Sequence, residues 1–542
     1  MYHIHESKIG AQNESGKSIV MVQNKIEVRI LCDLSSDSGL GHLTRCINLT
    51  KAMEELGCNC EFLVEPHSIK IFKKHFPEGK IIDLNCNNIT ERLLRLLYTN
   101  PFHVLLIDSY HNLTELEARL KVANVFVVSI DDHLMRHDGN LVFNNRSSKN
   151  KYELNNPQFA TWHIGNEFIL AKAVEKQHSK VRNKTKIKKV LLHAGGASAY
   201  GRIKPLVYET VKAAKNYQFA LEILCTTPGA KKFISDIVDE LEILNNVEII
   251  PYIKNLTSNL INYDIVVGPA GTTTYECLIS NVLPFSVTLD IDGRDSPESW
   301  PYLGHLLHLN FEEAQNRVTI SDLWDFTNKN FEWLSNLLAS PNHKLDGKGP
   351  ERTATVLIES YKRASNQDPD RFRKNDINIK LTSRPCEIGD CRAYLNARNQ
   401  AFVRCNSSDP THIIGWPEHL NWWLKNDVNR FCLCENEKII AFHWTKLVSD
   451  ELGNFVISGW MPAVGTDNKL RAASRLIQDQ VKYLKSNFAG NLWLICMRKQ
   501  NVVAKSLNTR AGFTSAKESS IIRAENIFCV SRKEFDFMEM HL

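Results

Sequence analysis

Ser35-Ser36-Asp37-Ser38-Gly39-Leu40-Gly41-His42-Leu43-Thr44-Arg45 joins an apolar run, Val28-Arg29-Ile30-Leu31-Cys32-Asp33, that reads as a strand to a stretch, Leu43–Leu56, that reads as a helix. Gly39 and Gly41 allow a tight turn and a close approach of backbone to a ligand, and the free N–H groups that open the helix favour a phosphate or other anion. His42 is thereby delivered to a helix N-terminus, at the carboxyl end of a strand, where open α/β sheets place their ligands. A lone Gly-x-Gly also occurs in plain strand-to-helix turns with a solvated histidine, so the rest of the chain has to agree.

Working outward, short β-rich runs alternate with helical patterns: Cys60–Glu65, Lys80–Leu84, Val104–Asp108, Val125–Asp131 and Leu141–Phe143. That alternation predicts a doubly wound α/β domain over residues 26–182, preceded by a polar tail at 1–25. After the basic stretch Lys184-Thr185-Lys186-Ile187-Lys188-Lys189, which reads as a solvated linker, the pattern restarts with Val190–His193, Ala220–Cys225, Val247–Ile250, Asp264–Val267 and Pro284–Leu289. A second α/β domain is therefore expected over 183–362, with a polar linker at 363–376. Beyond it the order changes. A strand near Ile377–Leu381, helices over Glu387–Arg404 and Pro417–Asn426, and then consecutive strands predict an α+β domain at 377–533, followed by a tail at 534–542.

Composition narrows the function classes. The 542 residues exceed what one core can organise, and 43% hydrophobic with 23% charged residues is a globular rather than a disordered composition. A net charge of +5, from 66 basic and 61 acidic residues, is too slight to argue for nucleic acid as a partner. The fourteen cysteines form no Cys-x-x-Cys pair and sit in apolar runs such as Phe431-Cys432-Leu433-Cys434, so they read as buried thiols of a reducing compartment. No run reaches the about 18 apolar residues of a membrane span. The expectation is a soluble, cytoplasmic protein with no membrane partner and an oligomeric state that the sequence leaves open.

Three further motifs fall where strands should end. Asp108-Ser109-Tyr110 follows the strand at 104–108, and Asp108 is placed to orient His42, to meet a sugar hydroxyl or to cap a helix. His193-Ala194-Gly195-Gly196 offers a glycine pair suited to a diphosphate. Gly268-Pro269-Ala270-Gly271-Thr272-Thr273-Thr274-Tyr275-Glu276 offers backbone amides, hydroxyls and a carboxylate. Glu276 suits a ribose or sugar diol, or else complements the helix dipole.

These segments, with Ser129-Ile130-Asp131-Asp132, resemble in order and spacing the nucleotide-sugar hydrolase of pseudaminic acid biosynthesis, over about residues 27–360. That family removes UDP from UDP-2,4-diacetamido-2,4,6-trideoxy-β-L-altropyranose. The resemblance implies two Rossmann-like domains in a GT-B-like arrangement, the nucleotide on the second and the reacting sugar under the first. It also implies metal-independent, cofactor-free, inverting attack of water at the anomeric carbon, with His42 as the activating base. Gly39, Gly41, Arg45, Asp108, Tyr110, Gly195, Gly196, Gly271, Thr272, Thr273 and Glu276 are the implied substrate-binding residues. One departure stands out: Leu289-Asp290-Ile291-Asp292-Gly293-Arg294-Asp295 replaces an Asn-Gln pair near the sugar, which bears on the identity of the substrate.

Farther on, Asn396-Ala397-Arg398-Asn399, Pro417-Glu418-His419-Leu420-Asn421-Trp422-Trp423 and Asn501-Val502-Val503-Ala504 resemble acetyltransferases of the GNAT superfamily that act on amino sugars. The resemblance implies acetyl-CoA as co-substrate, with Asn501 beside it. Arg471 stands where the cofactor turn has a glycine, and Asn508 where a proton-donating tyrosine is frequent. The combined expectation is a UDP-amino-sugar hydrolase, bifunctional if the third domain transfers acetyl groups. The alternatives are a glycosyltransferase on the same scaffold and a non-catalytic nucleotide-sugar binding protein.

Overall fold

The computed structural model describes residues 25–34, 41–84, 89–132, 135–144, 160–172, 185–194, 201–225, 228–242, 246–251, 253, 256–289, 298–343, 345–365, 381–425, 427–436, 438–466 and 469–542. Gly39, Gly195, Gly196 and most of the 289–295 loop lie outside these residues, as does the expected N-terminal tail apart from Lys25.

Seven strands form the first sheet: β1 (Glu27–Cys32), β2 (Asn59–Val64), β3 (Ile81–Asp83), β4 (Val104–Asp108), β5 (Phe126–Ile130), β6 (Leu141–Asn144) and β7 (Thr161–Ile164). Their order, β3-β2-β1-β4-β5-β6-β7, is parallel throughout. It reverses direction at β1/β4, where Cys32 pairs with Asp108. The Gly41–Glu55 helix follows β1 and buries Leu43, Cys46, Leu49 and Met53 against the sheet. Buried strands of this kind read as continuous apolar runs, which is why β1, β4 and β5 were legible.

The second sheet comprises β8 (Lys189–His193), β9 (Ala220–Leu224), β10 (Val247–Ile250), β11 (Ile265–Pro269), β12 (Leu283–Val287) and β13 (His308–Leu309), in the parallel order β10-β9-β8-β11-β12-β13. It repeats the topology of the first, with the switch point at β8/β11. The Gly349–Ser365 helix, expected inside the second domain, crosses back: its Ala354, Leu357 and Ile358 belong to the first domain's core. This return ties the two Rossmann-like domains into a GT-B-like pair.

The third sheet comprises β14 (Leu381–Pro385), β15 (Asn429–Glu435), β16 (Lys438–Asp450), β17 (Gly453–Pro462), β18 (Leu492–Arg498), β19 (Thr514–Ser515) and β20 (Phe535–His541), in the order β14-β15-β16-β17-β18-β20-β19. Only β17 and β18 run parallel, and only over Phe455↔Leu492, Val456↔Trp493 and Ile457↔Leu494. Beyond Ile457 and Leu494 no pairing between them continues, so the two strands part into a wedge. Two expectations are corrected here. Residues 534–542 are not a tail: β20 pairs with β18 over seven residues and buries Phe535, Phe537, Met538 and Met540. The predicted helix over 387–404 is broken at Gln400, whose ψ of 134° separates Cys391–Asn399 from Ala401–Arg404.

The third domain shares a core with the second. Trp416, 2% exposed, donates its indole N–H to Leu306 O at 2.9 Å. The Arg392 guanidinium lies 4.5 Å over the Trp416 ring and donates to Glu313 Oε2 at 2.6 Å. Tyr302 donates to Asp390 Oδ1 at 2.8 Å, and Asn396 Nδ2 donates to Glu298 Oε1.

Candidate active site

The two glycines that end in His42 lead into the Gly41–Glu55 helix, so His42 occupies its second position, 2% exposed. Its Nδ1 lies 2.7 Å from Asp108 Oδ1 at the carboxyl end of the neighbouring strand. Asp108 is fully buried, which by itself would raise its pKa; the Arg45 guanidinium and His42 outweigh burial and hold the carboxyl well below the usual carboxylate range. An ionised Asp108 accepts only, so Nδ1 carries the proton and the lone pair of the neutral ring sits on Nε2. Nε2 is buried and has no hydrogen-bond partner among the described residues. A buried base without a partner is costly in an empty site and useful in an occupied one.

Arg45 lies one turn farther along the same helix. Its Nε donates to Asp108 Oδ2 at 2.6 Å, Nη2 to Asp108 Oδ1, and Nη1 to Asp132 Oδ2 at 2.6 Å. Arg45, expected to bind substrate, here bridges the two carboxylates Asp108 and Asp132. Tyr110 meets the His42 ring edge to face at 4.2 Å and 79°, and its backbone N–H donates to Asp33 Oδ2 at 2.8 Å. The imidazole is thus gripped at Nδ1 and along one face.

Across the seam, β11 runs into the Thr272–Ile279 helix, which starts after Gly271. A Cβ placed on Gly41 would lie 3.4 Å from Thr272 Oγ1, so the two helices turn their N-termini toward one another. The positive dipole ends of two helices brought together in this way favour an anion between the sheets. Thr272 and Thr273 are partly exposed there, and nothing described lies within 4 Å of a Cβ built on Gly271. Glu276, one turn inside, is 6% exposed and accepts from Thr257 Oγ1 at 2.9 Å; burial pushes its carboxyl up to about 7. His193 at the end of β8 is buried beneath Gly268, where a Cβ would come within 2.6 Å of its Nε2, and burial pushes its pKa down to about 4.

No family model and no curated protein matches the chain. Among solved structures it is similar to Acinetobacter baumannii MurG, at 11% identity over 62% of this chain and 99% of that one, TM-score 0.46. It is also similar to the S. aureus MnaA-UDP co-structure, at 13% identity over 64% of this chain and 100% of that one, TM-score 0.47. A third likeness is to the aminoglycoside acetyltransferase AAC(6')-Ib in complex with coenzyme A, at 11% identity over 30% of this chain and 95% of that one, TM-score 0.25.

In the third domain Arg471 is exposed on the first turn of the Lys469–Asn487 helix. Asn501 caps the Val502–Ala511 helix, its side-chain oxygen accepting the Ala504 N–H at 3.1 Å, and Asn508 is buried on that helix. Cys386, Asp390 and Cys432 bring candidate metal-ligand atoms within 4.8 Å of one another. Both Asp390 oxygens, however, accept from Arg384, at 2.7 and 3.0 Å, which sets a cation against any metal there.

Sequence reasoning named His42, Asp108, Tyr110, Gly271, Thr272, Thr273 and Glu276 but left Asp108 open between orienting His42, meeting a sugar hydroxyl and capping a helix; the structure brings Asp108 and Tyr110 to His42. Sequence reasoning missed Asp33, Thr257 and the separate role of Asp132. Asp132 left a signal, an Asp-Asp pair at the end of an apolar run; Thr257, on the Leu256–Asn259 helix, left none.

Proposed function

We propose that this chain is a nucleotide-sugar hydrolase that removes UDP from a UDP-2,4-diacetamido-2,4,6-trideoxyhexose by inverting attack of water at C1. The observation that carries the reading is His42 Nε2, buried and without a hydrogen-bond partner among the described residues, beside two facing helix N-termini. Water bound at Nε2 gives up its proton to the imidazole as its oxygen bonds to the anomeric carbon, and the bond from that carbon to the diphosphate oxygen breaks. The electron pair leaves with UDP, and the helix ends receive the diphosphate charge. The ionised Asp108 stabilises the imidazolium that forms. Glu276 is offered to the ribose diol. UDP is a good leaving group, so one base suffices and no acid need be found.

The third domain is proposed as an N-acetyltransferase that uses acetyl-CoA, held at the β17/β18 wedge, to acylate the 4-amino group of a UDP-amino-sugar. That reaction would make the hydrolase substrate. The test is UDP release from a panel of UDP-diacetamido-trideoxyhexoses without added metal, by the wild type and His42→Ala, with acetyl-CoA and the 4-amino precursor assayed in parallel. The expected loss in the variant is about 10²–10⁴-fold in kcat. Absence of release from every sugar, in a chain that binds UDP, would turn the reading to a transferase or a binding protein.

A further inference from the structure

The turn after β5 carries adjacent carboxylates, Asp131 and Asp132, and each has its own cation. Asp132 holds Arg45. Asp131, 1% exposed, accepts the Met135 N–H at 2.9 Å and faces His137 Nε2 at 3.6 Å. His137 Nδ1 lies 2.7 Å from Glu117 Oε1 on the Thr114–Val122 helix. Glu117 is itself 1% exposed and fixed on every side: Ser129 Oγ donates to Oε1 at 2.6 Å, and the backbone N–H groups of Asp138 and Gly139 donate to Oε2 at 2.7 and 3.2 Å. Burial would lower the pKa of His137, but Asp131 and Glu117 outweigh it and raise it to about 9. An imidazolium there donates from Nδ1 to Glu117 and sets its remaining N–H against Asp131 at an ion-pair separation of 3.6 Å, beyond hydrogen-bond length.

The result is an alternating series of charges, Glu117, His137 and Asp131, then across one peptide bond Asp132, Arg45 and Asp108, ending on His42. We propose that Glu117 and His137 are positioning residues for His42: by holding Asp131 they fix the turn into Asp132, so that Asp132 keeps Arg45 fastened to Asp108 and Asp108 keeps its hold on His42 Nδ1. The kinetic side of this inference rests on the hydrolase reading; its spectroscopic side does not.

The experiment uses the full chain with His137→Gln and, as the milder replacement, Glu117→Gln. Five quantities are measured: kcat and KM for UDP release, calorimetric UDP affinity, the melting temperature, and the far-downfield proton NMR line of the His42 Nδ1–H bonded to Asp108, assigned by its loss in His42→Gln. His137→Gln is expected to lower kcat about tenfold, with KM and UDP affinity within about twofold of wild type, because a small misplacement of a reacting group is felt in kcat. The downfield line should broaden or vanish, and Glu117→Gln should move both readouts the same way by less. Retention of the line and of kcat in both variants overturns the proposal. So does a fall in kcat matched by an equal fall in UDP affinity and melting temperature, which would make the cluster a fold stabiliser only. If the wild type releases UDP from no sugar, the hydrolase reading fails, and the NMR line alone still decides this one.

Discussion

At the scale of single residues, charge burial is what makes the site unusual. Burial pushes the Glu276 carboxyl up to about 7, against 4.5 for the free side chain, and the Thr257 hydroxyl offsets that only in part. The folded state therefore binds more protons than the unfolded one between those values, and stability falls as pH rises through that window. Glu276→Gln removes the penalty. Without ligand it should raise the melting temperature by about 4 °C at pH 8 and leave it nearly unchanged at pH 5. The same variant should weaken UDP binding about tenfold, since a charged hydrogen-bond acceptor is lost. A variant that melted like the wild type at both pH values would show that Glu276 is not desolvated in solution.

At the scale of elements, what the chain reveals depends on how each strand is buried. β4 and β8 are buried on both faces and show as apolar runs. β20, Phe535-Asp536-Phe537-Met538-Glu539-Met540-His541, carries charges between its apolar positions and comes last in the chain, which is why residues 534–542 looked like a tail. Its four buried large side chains stabilise the third domain by about 2 kcal/mol each, a sum comparable to the whole stability of a domain. Truncation after residue 533 is therefore expected to unfold the third domain, seen as loss of near-ultraviolet circular dichroism and rapid proteolysis between 381 and 533. The short strands β13 and β19, two residues each, have no periodicity to read and exist only because a neighbour supplies the hydrogen bonds.

At the scale of the molecule, the polar linker marks a division in sequence that the packing does not respect. Second and third domains share one core, with Trp416 sealed against Leu306 and under Arg392. Trp416→Ala should cost about 3–5 kcal/mol and split one shared melting transition of these domains into two, measurable by calorimetry. A single unshifted transition in the variant would mean that Trp416 does not couple the two domains. Among the described residues no helix is long and apolar enough to cross a membrane.

By itself the sequence determined the alternation of strands and helices, two α/β domains followed by an α+β domain, and the delivery of His42 to a helix N-terminus at a strand end. These follow from periodicity and from glycine chemistry, both local properties of the chain. Only the tertiary structure decided that Arg45 bridges Asp108 and Asp132, and that the Gly349–Ser365 helix belongs with the first domain's core. The same holds for the charge series from Glu117 to His42. Each of these depends on groups as much as some three hundred residues apart being brought into contact, and a carboxylate's partner, which sets its charge and its orientation, is not written in its neighbours along the chain.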